Sequence, residues 1–129
     1  ARSLQPESVP HVDAVFNVSR SALLIAALTQ SPELLLAATE DRLHQDYRAS
    51  AMPETEEMVA TMREAGHAAV VSGAGPSVLV LSSDPGQRIR AAKLAAEKFP
   101  QWRALLLAVD FKGATVVLHQ DSNAGNGGH

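Results

Sequence analysis

The sequence predicts one α+β domain: a mostly antiparallel sheet of about four strands, covered by helices on one face. Three observations predict it. Val15, Val18, Ala22 and Ile25 recur at helical spacing in the first third of the chain. Two valine- and leucine-rich runs, "HAAVVS" and "SVLVLS", flank a small-residue turn in the middle. A further amphipathic helix then leads into two more strand runs, "RALLLAV" and "ATVVLH", and one helix between paired strands is an α+β arrangement.

The elements follow in order. "HVDAVFNVSRSALLIAALT" is a helix with a stripe through Val15, Val18, Ala22 and Ile25; its second half, Ala22 to Leu28, has no polar residue and is expected to be covered on all sides. Asp13, Asn17 and Arg20 draw one polar line down its first half. "SPELLL" restarts a helix with Ser31 as cap and Pro32 first inside. Beyond it, Leu36, Leu43 and Tyr47 either extend one helical face or lie in a loop. "ETEEMVATMREAG" follows Pro53 as a helix that packs through Met58, Val59 and Met62 and stops at Gly66. Asp84 caps the next helix, with Pro85 first inside, Gln87 placed for a capping box, and Ile89, Ala92, Ala96 and Phe99 as its apolar face. Pro100 ends it, and "DFKG" turns between the last two strands. If "ARSLQP" ends a further strand, the order is that of a ferredoxin-like split βαβ.

Bulk composition narrows the function classes. At 129 residues one domain is expected, and 46% apolar with 19% charged residues is an ordinary globular balance. A net charge of −3 without a basic cluster argues against nucleic acid or an anionic membrane surface as partner. The absence of cysteine excludes disulfides and thiol catalysis and agrees with a reducing, cytoplasmic setting. No uninterrupted apolar run approaches the roughly 20 residues of a bilayer span, and no signal peptide opens the chain, so no membrane partner is expected. The chain begins at Ala1, and "ARSLQPESVP" reads as though something precedes it.

The turn "GAGPS" is neither a dinucleotide fingerprint, since a strand follows it, nor a Walker A loop, since it lacks the Lys-Ser/Thr ending. Its glycines permit positive φ and close approach, either of a neighbouring element of the same fold or of a phosphate. Arg20, with Asn17 and Asp13, either faces a cleft, where a guanidinium fork suits a carboxylate or phosphate, or forms a solvated helix face. Arg48 stands in the connection "DYRASAMP". His44 and His67 have no partner at metal-ligand spacing; they read as structural, as do His11 and His119, and no metal site is expected.

"SGAGPS" between two strands, after a helix ending in "EAG", resembles the third signature motif of the GHMP kinases, which include galactokinase, homoserine kinase, mevalonate kinase and phosphomevalonate kinase. More narrowly, "LQPESVPHVDAVFNVSR", "YRASAMP" and "AAVVSGAGPSVLVL", in that order, resemble the C-terminal half of a homoserine kinase of actinobacterial type. The resemblance covers residues 1–120 and implies a GHMP kinase C-terminal domain, with 121–129 a disordered tail and the N-terminal ATP-binding domain absent from this chain. It implies transfer of the ATP γ-phosphoryl, with Mg²⁺, to the hydroxyl of L-homoserine in threonine biosynthesis. Arg48 and Arg20 then match the clamp on the homoserine carboxylate, and Asn17 faces the same pocket. Gly73, Ala74, Gly75, Pro76 and Ser77 match the turn that packs against the ATP loop of the chain's own N-terminal domain. No catalytic base is expected within this chain, which alone should be inactive; a homodimer stays open. The alternatives are the C-terminal domain of a mevalonate- or phosphomevalonate-type kinase, and a non-catalytic ferredoxin-like regulatory or interaction module.

Overall fold

The computed structural model describes residues 6–44 and 50–117. The chain runs α1 (His11–Thr29), a 3₁₀ turn (Pro32–Leu34), α2 (Leu35–Ala38), α3 (Pro53–Glu64), β1 (Ala68–Val71), β2 (Val78–Leu81) and α4 (Pro85–Lys98). The α+β class holds. Among the described residues the sheet is one antiparallel pair, with Ala68 opposite Leu81 and Val71 opposite Val78.

Strand alternation decides what each side of the hairpin touches. Ala69, Val71, Val78 and Val80 pack with Met58, Val59 and Met62 of α3, Ala91 of α4, and Phe99. The opposite face, at the Ala68–Leu81 pair, meets Ala27 of α1 and Leu35 and Ala38 of α2. Helices therefore lie against both faces at this end, not on one face only as the sequence reading expected.

Of the expected strands, the last two are not formed among the described residues. Residues 103–117 run without sheet pairing, and Leu105, Leu107 and Val109 stand exposed. In a split βαβ the last strand pairs with the first, which precedes the first helix. The first-strand candidate at residues 1–5 lies outside the described residues, and an edge without a neighbour has no ladder to join. The turn between the two runs is present: Lys112 N–H donates to Asp110 Oδ1 at 2.9 Å and Gly113 has φ +67°. The end of "ATVVLH" and the tail at 121–129 also lie outside the described residues.

The packing face of α1 differs from the expected stripe. Leu23, Leu24 and Ala27 turn inward, while Val18 is 71% and Ile25 68% exposed, and Val15 and Ala22 are also open. The expectation that the second half is covered on all sides is corrected: its periphery is apolar all round, so composition alone could not say which side meets α2. The short link from Thr29 to Pro32 settles it by folding α2 back onto the Leu23–Ala27 side. By length and composition α1 could also cross a membrane. The sequence reading missed this because it sought an uninterrupted run, and Asp13, Asn17 and Arg20 break it.

Local chemistry sets the remaining boundaries. Thr39 ends α2 because its hydroxyl turns back to the Leu35 and Leu36 carbonyls at 2.8 and 3.2 Å, so the chain enters a loop there. Tyr47 lies outside the described residues. α3 closes with His67 N–H on Met62 O and Gly66 N–H on Arg63 O, both at 2.9 Å, with Gly66 at φ +84°. Asp84 caps α4 through the Gly86 and Gln87 N–H groups. The expected reciprocal bond from Gln87 to the cap is relayed instead: the Ser82 hydroxyl accepts from Asp84 N–H and faces Gln87 Oε1 at 3.2 Å. The inner face of α4 is Ala91, Leu94 and Ala95, with Phe99 beyond it, whereas Ile89 and Ala96 are exposed. Alanines on several faces of this helix hid the true one from a pattern reading.

One side chain ties three elements together. The Arg63 guanidinium donates to Thr39 Oγ1 (2.9 Å), Leu36 O (2.6 Å) and Ala69 O (3.1 Å), which joins α3 to the end of α2 and to β1. These acceptors include carbonyls that the end of a helix leaves unsatisfied. Replacing Arg63 by Met keeps the apolar stem and removes the fork. Urea unfolding should show a loss of about 2 kcal/mol, in the range of hydrogen bonds to a charged group; an unchanged midpoint would show that water replaces the fork at no cost.

Candidate functional site

The polar line on α1 faces the connection after α2. Asn17 spans the gap with both ends of its carboxamide: Nδ2 donates to Asp41 Oδ1 at 2.7 Å, and Oδ1 accepts from Arg42 N–H at 2.9 Å. Asp41 Oδ1 also accepts from the backbone N–H of Leu43 (2.8 Å) and His44 (3.2 Å), and His44 Nδ1 approaches Oδ2 at 3.2 Å. A carboxylate that takes N–H groups two and three residues ahead is an Asx turn, and here Asn17 ties it to the polar side of α1.

Beside this lock, the Phe16 ring carries two cations. The Arg42 guanidinium carbon lies 3.7 Å from the ring centroid and that of Arg20 lies 4.5 Å from it, both within cation–π range. Arg42 also approaches Asp13 Oδ1 at 3.9 Å. Arg20 Nε is buried and has no hydrogen-bond partner. Burial pushes the Asp41 carboxyl up, but the hydrogen bonds from Asn17, Leu43 and His44, with the charge of His44, outweigh it and leave it below the ordinary value of 3.8.

The glycine turn is a second structure, built on the hairpin and α3. Ser72 N–H donates to Ser77 O at 2.8 Å, Gly75 N–H donates to Ser72 O at 3.0 Å, and the Gly75–Pro76 bond is cis. Thr55 of α3 donates its hydroxyl to Pro76 O at 3.2 Å. Gly73, Ala74, Pro76 and Ser77 are exposed and Gly75 half-buried. A Cβ on Gly75, at φ +80°, would meet Met52 Sδ at 2.7 Å and Val71 Cγ1 at 3.3 Å. Part of the close approach is therefore made within this fold, while the outer rim of the turn is open.

Arg20 and Asn17 thus belong to one polar cluster, Arg20 through the Phe16 ring it shares with Arg42 and Asn17 through an amide committed to holding the 41–44 connection. The glycine turn rests on other elements. Arg48 lies outside the described residues. Sequence reasoning missed Phe16, Asp41, Arg42 and Arg63. Thr39 followed by Asp41 was a usable helix-stop and Asx signal; the stacking on Phe16 had none. An open groove of about 400 Å³ lies elsewhere, lined by Pro32, Leu36, Leu81, Ser83, Asp84 and Gln87 among others. The Asp84 carboxylate in it is occupied with capping α4.

The lowered Asp41 value means that the fold favours its ionised form. That stabilisation is present in full above the unfolded value and is lost as pH falls through the folded one. Thermal melts between about pH 6 and pH 3 should fall less steeply for Asp41→Asn than for the natural chain. Parallel curves would show that Asp41 gains nothing from its partners.

Comparison with known proteins identifies the family. The family model for the GHMP kinases C terminal matches residues 19–101. The chain is 74% identical over 125 residues to a homoserine kinase of Clavibacter michiganensis subsp. michiganensis, covering 96% of this chain and 40% of that protein. It is 68% identical to the homoserine kinase of Leifsonia xyli subsp. xyli, over 98% of this chain and 40% of that one. The chain therefore spans about two fifths of the length of these relatives. A crystal structure of homoserine kinase from Cytophaga hutchinsonii superposes with a TM-score of 0.69 at 20% identity, over 78% of this chain and 32% of that one, which shows a shared fold. The matched family segment runs from Ser19 within α1 through the glycine turn and past the end of α4, and the chain belongs to the GHMP kinase C-terminal family.

Proposed function

We propose that this chain is the homoserine-binding, C-terminal part of a homoserine kinase. The observation that carries the reading is its 74% identity, across almost its whole length, to a protein of that name. The whole enzyme would move the γ-phosphoryl of ATP to the hydroxyl of L-homoserine, a cytoplasmic step of threonine biosynthesis. Mg²⁺, when bound with ATP, would neutralise charge developing on the transferred group.

In this reading the polar cluster holds the amino acid. Arg20, seated on Phe16 with an unpartnered buried Nε, fits a substrate carboxylate, because a guanidinium can grip both oxygens at once. Arg48 would complete the clamp from the connection before α3. Asn17 contributes by holding the 41–44 connection in place. The open rim of the turn at 73–77 would lie against the phosphate-binding loop of the enzyme's N-terminal domain, where the lack of Cβ atoms permits backbone to approach backbone. Residues 103–109 and 114–117 would join the sheet, in the split βαβ order, once a first strand lies between them and the hairpin. Phosphoryl transfer depends chiefly on placing the acceptor hydroxyl in line with the phosphate, so a domain that fixes the amino-acid end contributes to catalysis without supplying a base.

Kinetics of the full-length protein test this directly. Arg20→Ala or Arg48→Ala should raise KM for homoserine far more than KM for ATP, by a factor matching about 2–3 kcal/mol of lost charge-assisted bonding. Equal effects on the two substrates would remove these arginines from the amino-acid site. Turnover of mevalonate phosphates without homoserine would replace the substrate assignment. The chain by itself should not hydrolyse or transfer from ATP; phosphorylation of homoserine by it alone would contradict the division of labour.

A further inference from the structure

Phe16 joins two like charges. With the guanidinium carbons of Arg42 and Arg20 at 3.7 and 4.5 Å from one ring centroid, the two cations lie no more than 8.2 Å apart, the sum of those distances. Among the described residues two carboxylates stand near them. Asp13 approaches Arg42 at 3.9 Å, longer than a hydrogen bond, and both side chains are partly solvated. Asp41, whose oxygens are bonded to Asn17, Leu43 and His44, adds its negative charge next to Arg42. Arg20 nevertheless keeps a buried Nε without an acceptor, and Arg42 sets its guanidinium on the same ring, so both are donors that an incoming anion can meet.

Arg42 is held at both ends. Its backbone N–H is fixed by Asn17 Oδ1, and its guanidinium lies against Phe16, which limits the rotamers it can visit. An arginine held in this way loses less conformational freedom on meeting a ligand than a free surface arginine does. We propose that Arg42 is a specificity-determining residue that binds the carboxylate of the amino-acid substrate beside Arg20, with Phe16 as the shared platform. This rests on the homoserine kinase reading. Homoserine carries one carboxylate and no other anionic group, so a paired-guanidinium seat selects it over neutral alcohols. Arg42 is a guanidinium that no motif resemblance marks.

The test uses the full-length enzyme with Arg42→Met, which keeps an apolar stem over Phe16, and Arg42→Lys. Arg42→Met should raise KM for L-homoserine about ten- to a hundredfold, the range of a lost charge-assisted bond. KM for ATP should stay within about twofold, kcat should fall by much less than KM rises, and the ligand-free melting temperature should hold. Arg42→Lys should restore only part of the affinity, because an ammonium cannot present two parallel donors. An unchanged KM for homoserine in Arg42→Met would overturn the proposal. So would a rise in both KM values together with a lower melting temperature, which would mark Arg42 as a clip for the connection. If the unsubstituted enzyme fails to phosphorylate homoserine at all, the functional reading falls first and takes this inference with it.

Discussion

The carboxamide of Asn17 is the constraint on which the polar cluster depends. It bonds Asp41 with one end and the Arg42 backbone with the other, at 2.7 and 2.9 Å, and so fixes a connection 24 residues away against α1. Without that bridge, the Asp41 Asx turn has no anchor on the helix and the guanidinium on Phe16 has no fixed root. An isolated hydrogen bond contributes little net stability, but a bridge that satisfies a donor and an acceptor at once also fixes register. Arg63 does the same from the other side of α2 by holding Leu36 and Thr39. The connection is thus anchored where it leaves α2 and again two residues later.

The two functional regions are built by different physics. The polar cluster is electrostatic: cations on an aromatic ring and a carboxylate whose ionised form its partners favour. The glycine turn is steric, with Gly75 where a Cβ would strike Met52 or Val71 on one side and an open rim on the other. The proposed function would use both kinds of surface, one for a small zwitterion and one for a phosphate-bearing backbone. Placing them on separate elements lets one be substituted without disturbing the other.

Much of this was legible in the sequence, and the failures have physical causes. Met58, Val59 and Met62 were identified as core because α3 is apolar on one face and acidic at its start, so only one orientation is open to it. α1 and α4 were misoriented for the opposite reason. Their apolar residues run round several faces, and the choice was made by a short link to α2 in one case and by the position of Phe99 in the other. The sheet was over-counted because strand runs are local while pairing is not: "RALLLAV" has strand composition whether or not a neighbour is present. Arg20 and Asn17 were grouped by spacing along one helix. Phe16 and Arg42 were not, since their contact joins distant parts of the chain and leaves no periodic trace.

The exposed apolar side of α1 and the unpaired run after α4 belong to the same picture. Val18, Ile25, Leu105 and Val109 are all open to solvent. The most direct measurement is a crystal structure of the full-length protein with L-homoserine bound. The carboxylate should lie at the polar cluster between α1 and residues 41–44, with an oxygen within hydrogen-bond distance of the Arg20 guanidinium. Electron density for the amino acid in the groove beside Asp84, or away from Arg20 altogether, would contradict the assignment.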